Sequence, residues 1–138
     1  METSRTIYLG DLRTKAMHIR SGEIIMTDAP PDNQGKGEFF SPTDLVATSL
    51  ACCMLTVLGI AARTFEFNID GTEAVITKVM SQEPPRRISR VIIELNFTQK
   101  SYSDKEKTII ERVARNCPVA LSLHPDLKQE IVFNFSKQ

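Results

Sequence analysis

The stretch Leu45–Ala62, LVATSLACCMLTVLGIAA, runs for 18 positions without a charged residue. That length sits at the lower limit of a membrane span. Thr48, Ser49, Thr56 and Gly59 interrupt it, and we read it as a buried core helix rather than a span. A helix apolar on all sides belongs in the middle of a core. A chain of 138 residues has trouble wrapping such a helix alone, so a second subunit is expected to help cover it. Ser41-Pro42 opens the helix: Ser41 suits the N-cap, Pro42 the first helical position, and Asp44 places a carboxylate near the positive end of the backbone dipoles.

Outward from this helix the chain alternates strands with punctuation. Thr6–Leu9, Lys15–Ile19 and Glu23–Thr27 have strand composition, with Ser21-Gly22 as a hairpin turn. Asp28–Ser41 (DAPPDNQGKGEFFS) is a loop of the length usually kept for function. On the other side, 65–70 (FEFNID), 73–80 (EAVITKVM) and 88–98 (ISRVIIELNFT) read as strands. Ser103, with Glu106 three residues on, has the spacing of a capping box and starts a second helix. That helix stops at Asn116-Cys117-Pro118, a short helical turn follows through Leu123, and 130–135 (EIVFNF) is a last strand. The order predicts a single α+β domain over residues 1–138, with an antiparallel sheet covering the central helix.

Composition narrows the function. Lys+Arg and Asp+Glu are each 17, a formal net charge of zero, which disfavours a nucleic-acid partner held through phosphate contacts. Three cysteines, two of them adjacent, make a poor disulfide framework and suit a reducing cytoplasm. Met1–Gly10 lacks the apolar run of a signal peptide, so a cytoplasmic location is expected. His18, His124 and the cysteines show no metal-ligand spacing, and no metal site or cofactor is expected. Arg86, Arg87 and Arg90 read as a solvated strand face.

The chemistry-bearing residues are the thiols. In the helix, Cys53 shares a face with Val46, Ser49, Val57 and Ile60, while Cys52 points with Thr48 and Thr56. A buried cysteine packs as a small hydrophobe, and that reading stands beside a functional one. Cys117, at the start of a helical turn, is expected to have its pKa lowered by the dipoles and unpaired amides there. A mid-helix cysteine and a distant one at a helix start fit a peroxidatic and resolving pair: one thiolate attacks a peroxide oxygen, and the second thiol closes a disulfide. An attacking thiolate in an apolar pocket needs a nearby cation, best an arginine.

The run Ser41-Pro42-Thr43-Asp44 through Ala51-Cys52-Cys53 resembles the central-helix signature of the OsmC/Ohr family, the osmotically induced protein C and organic hydroperoxide resistance proteins. The signature's cysteine aligns with Cys53. Asn116-Cys117-Pro118-Val119 resembles the family's second cysteine motif. Ser21-Gly22-Glu23-Ile24-Ile25 and the Asp28-Pro30…Gly35…Gly37 loop are similar to the less-characterised branch of the family. The resemblance implies an intertwined homodimer, two long central helices wrapped by antiparallel sheets. It implies thiol-dependent reduction of organic hydroperoxides to alcohols and a part in the oxidative stress response. Cys53 would attack, Cys117 would resolve, and a dithiol such as a lipoyl protein would restore the pair. The family's catalytic arginine aligns with Arg13, with Arg20 as a second candidate. The family peroxidases carry a glutamate where this chain has Thr43. Asp44 beside it is either the replacement acid or a helix-terminal charge. The competing expectation is a non-catalytic dimeric binding protein, or a redox sensor, with an apolar pocket at the subunit interface.

Overall fold

In the first of two compact units, Met1–Val46, strands β1 (Ser4–Gly10), β2 (Arg13–His18) and β3 (Ile24–Asp28) form an antiparallel sheet in that order. The coordinates are a computed structural model that describes residues 1–99 and 101–135. Asp11 and Leu12 make the β1–β2 turn, both at positive φ (53° and 63°), the backbone of a two-residue hairpin turn whose twist matches its strands. The Tyr8 hydroxyl accepts the Leu12 N–H at 3.2 Å, and the Leu12 carbonyl accepts the Ala29 N–H at 3.0 Å. These two bonds hold a leucine where glycine or asparagine is usual. The Ser21-Gly22 turn is present, with Gly22 at φ 77°.

The loop after β3 folds back on itself. The Gly35 and Gly37 N–H groups donate to the carbonyls of Pro30 and Ala29 at 3.0 and 3.2 Å. A Cβ at Gly35 would overlap the Ala29 carbonyl, and Gly37 sits at φ 63°, so glycine is required at both. Helix α1 (Pro42–Phe65) starts at the end of this unit. The Ser41 Oγ accepts the Asp44 N–H and an Asp44 carboxylate oxygen accepts the Ser41 N–H, each at 3.0 Å. This reciprocal pair is a capping box with aspartate in the glutamate position.

The second unit, Ala47–Gln138, holds the core. Ala47, Leu50, Ala51, Met54, Leu58, Ala61 and Ala62 form the buried face of α1, at the 3.6-residue period of one helical stripe. They cluster with Val91, Ile93 and Leu95 of β5 (Ile88–Asn96) and Ile110 of α2 (Asp104–Ala114). The β5 residues alternate inward as a half-buried strand requires. The opposite face of α1 carries Ser49, Cys52, Thr56 and Ile60, all exposed, with Ile60 61% exposed. Within the chain α1 is therefore covered on one side, not all round. The capping box of α2 is present as expected, with Ser103 and Glu106 each bonded to the other's amide.

Two expectations fail here. The sheet of β4 (Glu73–Met80), β5 and β6 (Lys128–Asn134) is mixed: β4–β5 is antiparallel and β5–β6 parallel. Between β5 and β6 the chain runs through α2 and α3 (Pro118–Ser122), the helical crossover that a parallel pair needs. Residues 65–70 are not a strand. The helix runs to Phe65, Glu66 takes φ 59°, and the Phe67 N–H donates to the Ala62 carbonyl at 3.0 Å. This is a left-handed helix stop in which the usual glycine is a glutamate. Asp70 then donates its N–H to Asn68 Oδ1 at 2.6 Å, a turn. The alternation in FEFNID comes from Phe67 and Ile69, which face the core from an irregular segment.

Candidate active site

Helix α1 presents Cys53 half-buried beside its core stripe. The α2–α3 junction supplies the second sulfur. Asn116 N–H closes α2 by donating to the Val113 carbonyl at 3.1 Å, the backbone turns extended at Cys117 (φ −73°, ψ 153°), and Pro118 starts α3. This makes Cys117 the N-cap, fully buried, with its Sγ accepting the Ala120 N–H at 3.4 Å. The structure brings the Cys53 and Cys117 side chains together at the edge of the core. All three cysteines are free thiols.

The expected lowering of the Cys117 pKa is corrected by its surroundings. Burial among apolar side chains raises it, and this outweighs the Ala120 amide, which lowers it. The neighbouring Cys53 raises it further. Cys117 is thus held as a thiol touching a less buried sulfur. Cys52 is exposed, on a different face of the helix from Cys53.

Arg13, in the first unit, is a quarter exposed at its side chain and sits between two carboxylates. Its Nε and Nη2 donate to the two oxygens of Asp28 at 2.6 and 2.8 Å. Nη2 also donates to Glu38 Oε1 at 2.5 Å, and the guanidinium lies 4.8 Å from the Phe39 ring centroid. The pairing with Asp28, then with Glu38, raises the Arg13 pKa. The same contact, chiefly, lowers that of Asp28 against the opposing effect of burial. Arg20 is exposed beside the Ser21-Gly22 turn. Asp44 is engaged in the α1 capping box.

Asp28 and Glu38 were not among the candidate residues drawn from the sequence. A signal was there: counting outward from the Ser21-Gly22 turn pairs Arg13 directly with Asp28 across the strands. Among the described residues, no group of three His, Cys, Asp or Glu is clustered closely enough to hold a metal. Arg90 pairs with Glu130 at 3.2 Å and Arg87 with Asp126 at 4.0 Å, all four at least 40% exposed, so these arginines form a solvated face.

The sequence model of the family described as OsmC-like protein matches residues 35–132. Among solved structures, a protein of Psychrobacter arcticus 273-4 is 55% identical over 96% of both chains, with a TM-score of 0.92. Its name assigns it, without establishing it, to osmotic stress induction and the detoxification response. An organic hydroperoxide resistance protein OsmC from Legionella pneumophila is 13% identical, covering 97% of this chain and 98% of its own, at a TM-score of 0.75. An OsmC-like protein from Mycoplasma pneumoniae is 19% identical, covering 96% and 95%, at 0.73. The last two share the fold. No protein of curated function matches the chain. With its α+β fold, its paired cysteine segments and a family match over most of its length, the chain belongs to the OsmC-like family.

Proposed function

We propose that this protein is a cysteine peroxidase that reduces organic hydroperoxides to alcohols as part of an oxidative stress response. The observation that carries the reading is that the Cys53 and Cys117 side chains are neighbours, close enough for one to act on the other's proton. Two free thiols in contact, one fully buried and one half-buried, divide the chemistry between them. The Cys53 thiolate attacks the distal oxygen of ROOH; the O–O bond breaks, RO⁻ leaves and takes a proton to become ROH, and Cys53 becomes a sulfenic acid. Cys117, kept protonated by burial, then condenses with the sulfenic acid, forming the S–S bond and releasing water. A dithiol such as a lipoyl protein reduces the disulfide by exchange and leaves as its own cyclic disulfide.

Family membership supports the proposal, and so does the name of the Legionella pneumophila relative, which is an organic hydroperoxide resistance protein. We further propose a cytoplasmic homodimer, which light scattering of the eluting protein tests as twice the chain mass against once. The activity test is turnover of cumene hydroperoxide with dihydrolipoamide. Cys53→Ser is expected to abolish peroxide consumption, whereas sustained turnover by that variant would end the peroxidase reading. Retention of an apolar ligand without thiol oxidation would favour the binding-protein alternative.

A further inference from the structure

We propose that Gln129 is the positioning residue of Cys117: by tying α3 to β6 it holds the resolving sulfur beside Cys53. The inference rests on the reading in which Cys53 and Cys117 form a disulfide. All of its parts lie in the second unit. Helix α3 is five residues long and opens on a proline. So short a helix does not persist by its own backbone bonds, and the last carbonyls of any helix lack partners within it. Ties from outside therefore decide whether α3 keeps its place. The Gln129 side chain supplies one from a strand, its Nε2 donating to the Ala120 carbonyl at 3.0 Å. The Ser122 hydroxyl donates to the Pro118 carbonyl at 2.8 Å, a bond internal to α3 that stiffens the turn without fixing where it sits.

Ala120 connects the Gln129 tie to the thiol. Its N–H donates to Cys117 Sγ at 3.4 Å and its carbonyl accepts from Gln129. Both polar backbone groups of one buried residue are thus engaged, one by the sulfur and the other by β6. Gln129 is itself well anchored: it is partly buried and in register with Val91 of β5, which is fully buried. Val91, Cys117 and Ala120 belong to one core cluster, with Cys53 packed against it. An apolar side chain at position 129 would fill the same space but leave the Ala120 carbonyl without its donor. Helix α3 would then move more freely, and the Cys117 sulfur would spend less time within reach of Cys53. Groups held in place before a bond forms lose less freedom when it does, so Gln129 favours the disulfide.

The experiment equilibrates the full-length Cys52→Ser protein with mixtures of lipoamide and dihydrolipoamide near neutral pH, and reads the cross-linked Cys53–Cys117 peptide by mass after acid quenching. Two thiols of the protein become one S–S bond as the cyclic disulfide of lipoamide takes up their two electrons and two protons. Gln129→Leu is expected to lower the equilibrium constant for forming the protein disulfide about tenfold, raising its reduction potential by about 30 mV. A residue that only stabilised the fold would act on both redox forms alike and leave this constant unchanged. An unchanged or larger constant therefore overturns the proposal. Gln129→Glu keeps the shape but presents a carboxylate to the carbonyl, and is expected to lower the constant at least as much. Should Gln129→Leu lose its native circular dichroism, Gln129→Glu decides the question alone. If the parent Cys52→Ser protein forms no cross-link at any ratio, the disulfide reading falls and the proposal with it. A cross-link in the parent that Gln129→Leu forms equally well overturns the proposal and leaves that reading standing.

Discussion

Cys117 accepts an amide hydrogen bond that favours its thiolate and sits among apolar side chains that oppose it, and burial prevails. Its position as a helix cap was legible in Asn116-Cys117-Pro118, because proline fixes where a helix starts. The direction of its pKa was not, since burial is set by α1 and β5, which are remote in sequence. The raised pKa has a consequence for stability. Well below the ordinary thiol value of about 8.5 the group is protonated in both states, and its contribution is complete. Above it the unfolded thiol ionises first, and the contribution is lost as pH rises through the higher folded value. Urea midpoints of the reduced protein between about pH 7.5 and 10.5 are expected to fall more steeply than those of Cys117→Ala. Parallel curves would contradict the assignment. Arg13 was legible as a candidate through the family resemblance, aligned from the Ser21-Gly22 turn, but its carboxylate partners required the strand register.

At the scale of elements, the uncharged run 45–62 identified the central helix and the capping residues its start. What the run could not show was which face is covered, because apolar and small residues occur all round it. Leu50, Met54 and Leu58 are fully buried whereas Ile60 is 61% exposed. Leu50→Ala is expected to cost about 2–5 kcal/mol of unfolding free energy through lost burial and a residual cavity. Ile60→Ala is expected to cost less than about 1 kcal/mol in the isolated chain. Denaturant unfolding checks both, and equal losses would mean that the stripe is misassigned. The end of the helix was misread because its left-handed stop uses Glu66 instead of glycine, so the expected punctuation was missing. The parallel β5–β6 pair was likewise hidden, since a sequence shows strands and the lengths between them but not their partners.

At the scale of the whole molecule, the fold and family were legible because two segments far apart in the chain, Ser41–Cys53 and Asn116–Val119, each carry a local signature that the other makes specific. α1 is long and apolar enough to span a membrane, yet its buried stripe is the centre of a packed core. That core joins the helix bearing Cys53 to the junction bearing Cys117 and leaves both sulfurs reduced and in contact. The account depends on those sulfurs exchanging electrons with a peroxide. The direct measurement is the intact mass and peptide map of the reduced protein after one equivalent of cumene hydroperoxide, with Cys117→Ser in parallel. The prediction is a loss of two hydrogens with a cross-linked Cys53–Cys117 peptide, and in Cys117→Ser a single added oxygen on Cys53. An unchanged mass in both, with peroxide left unconsumed, would contradict it.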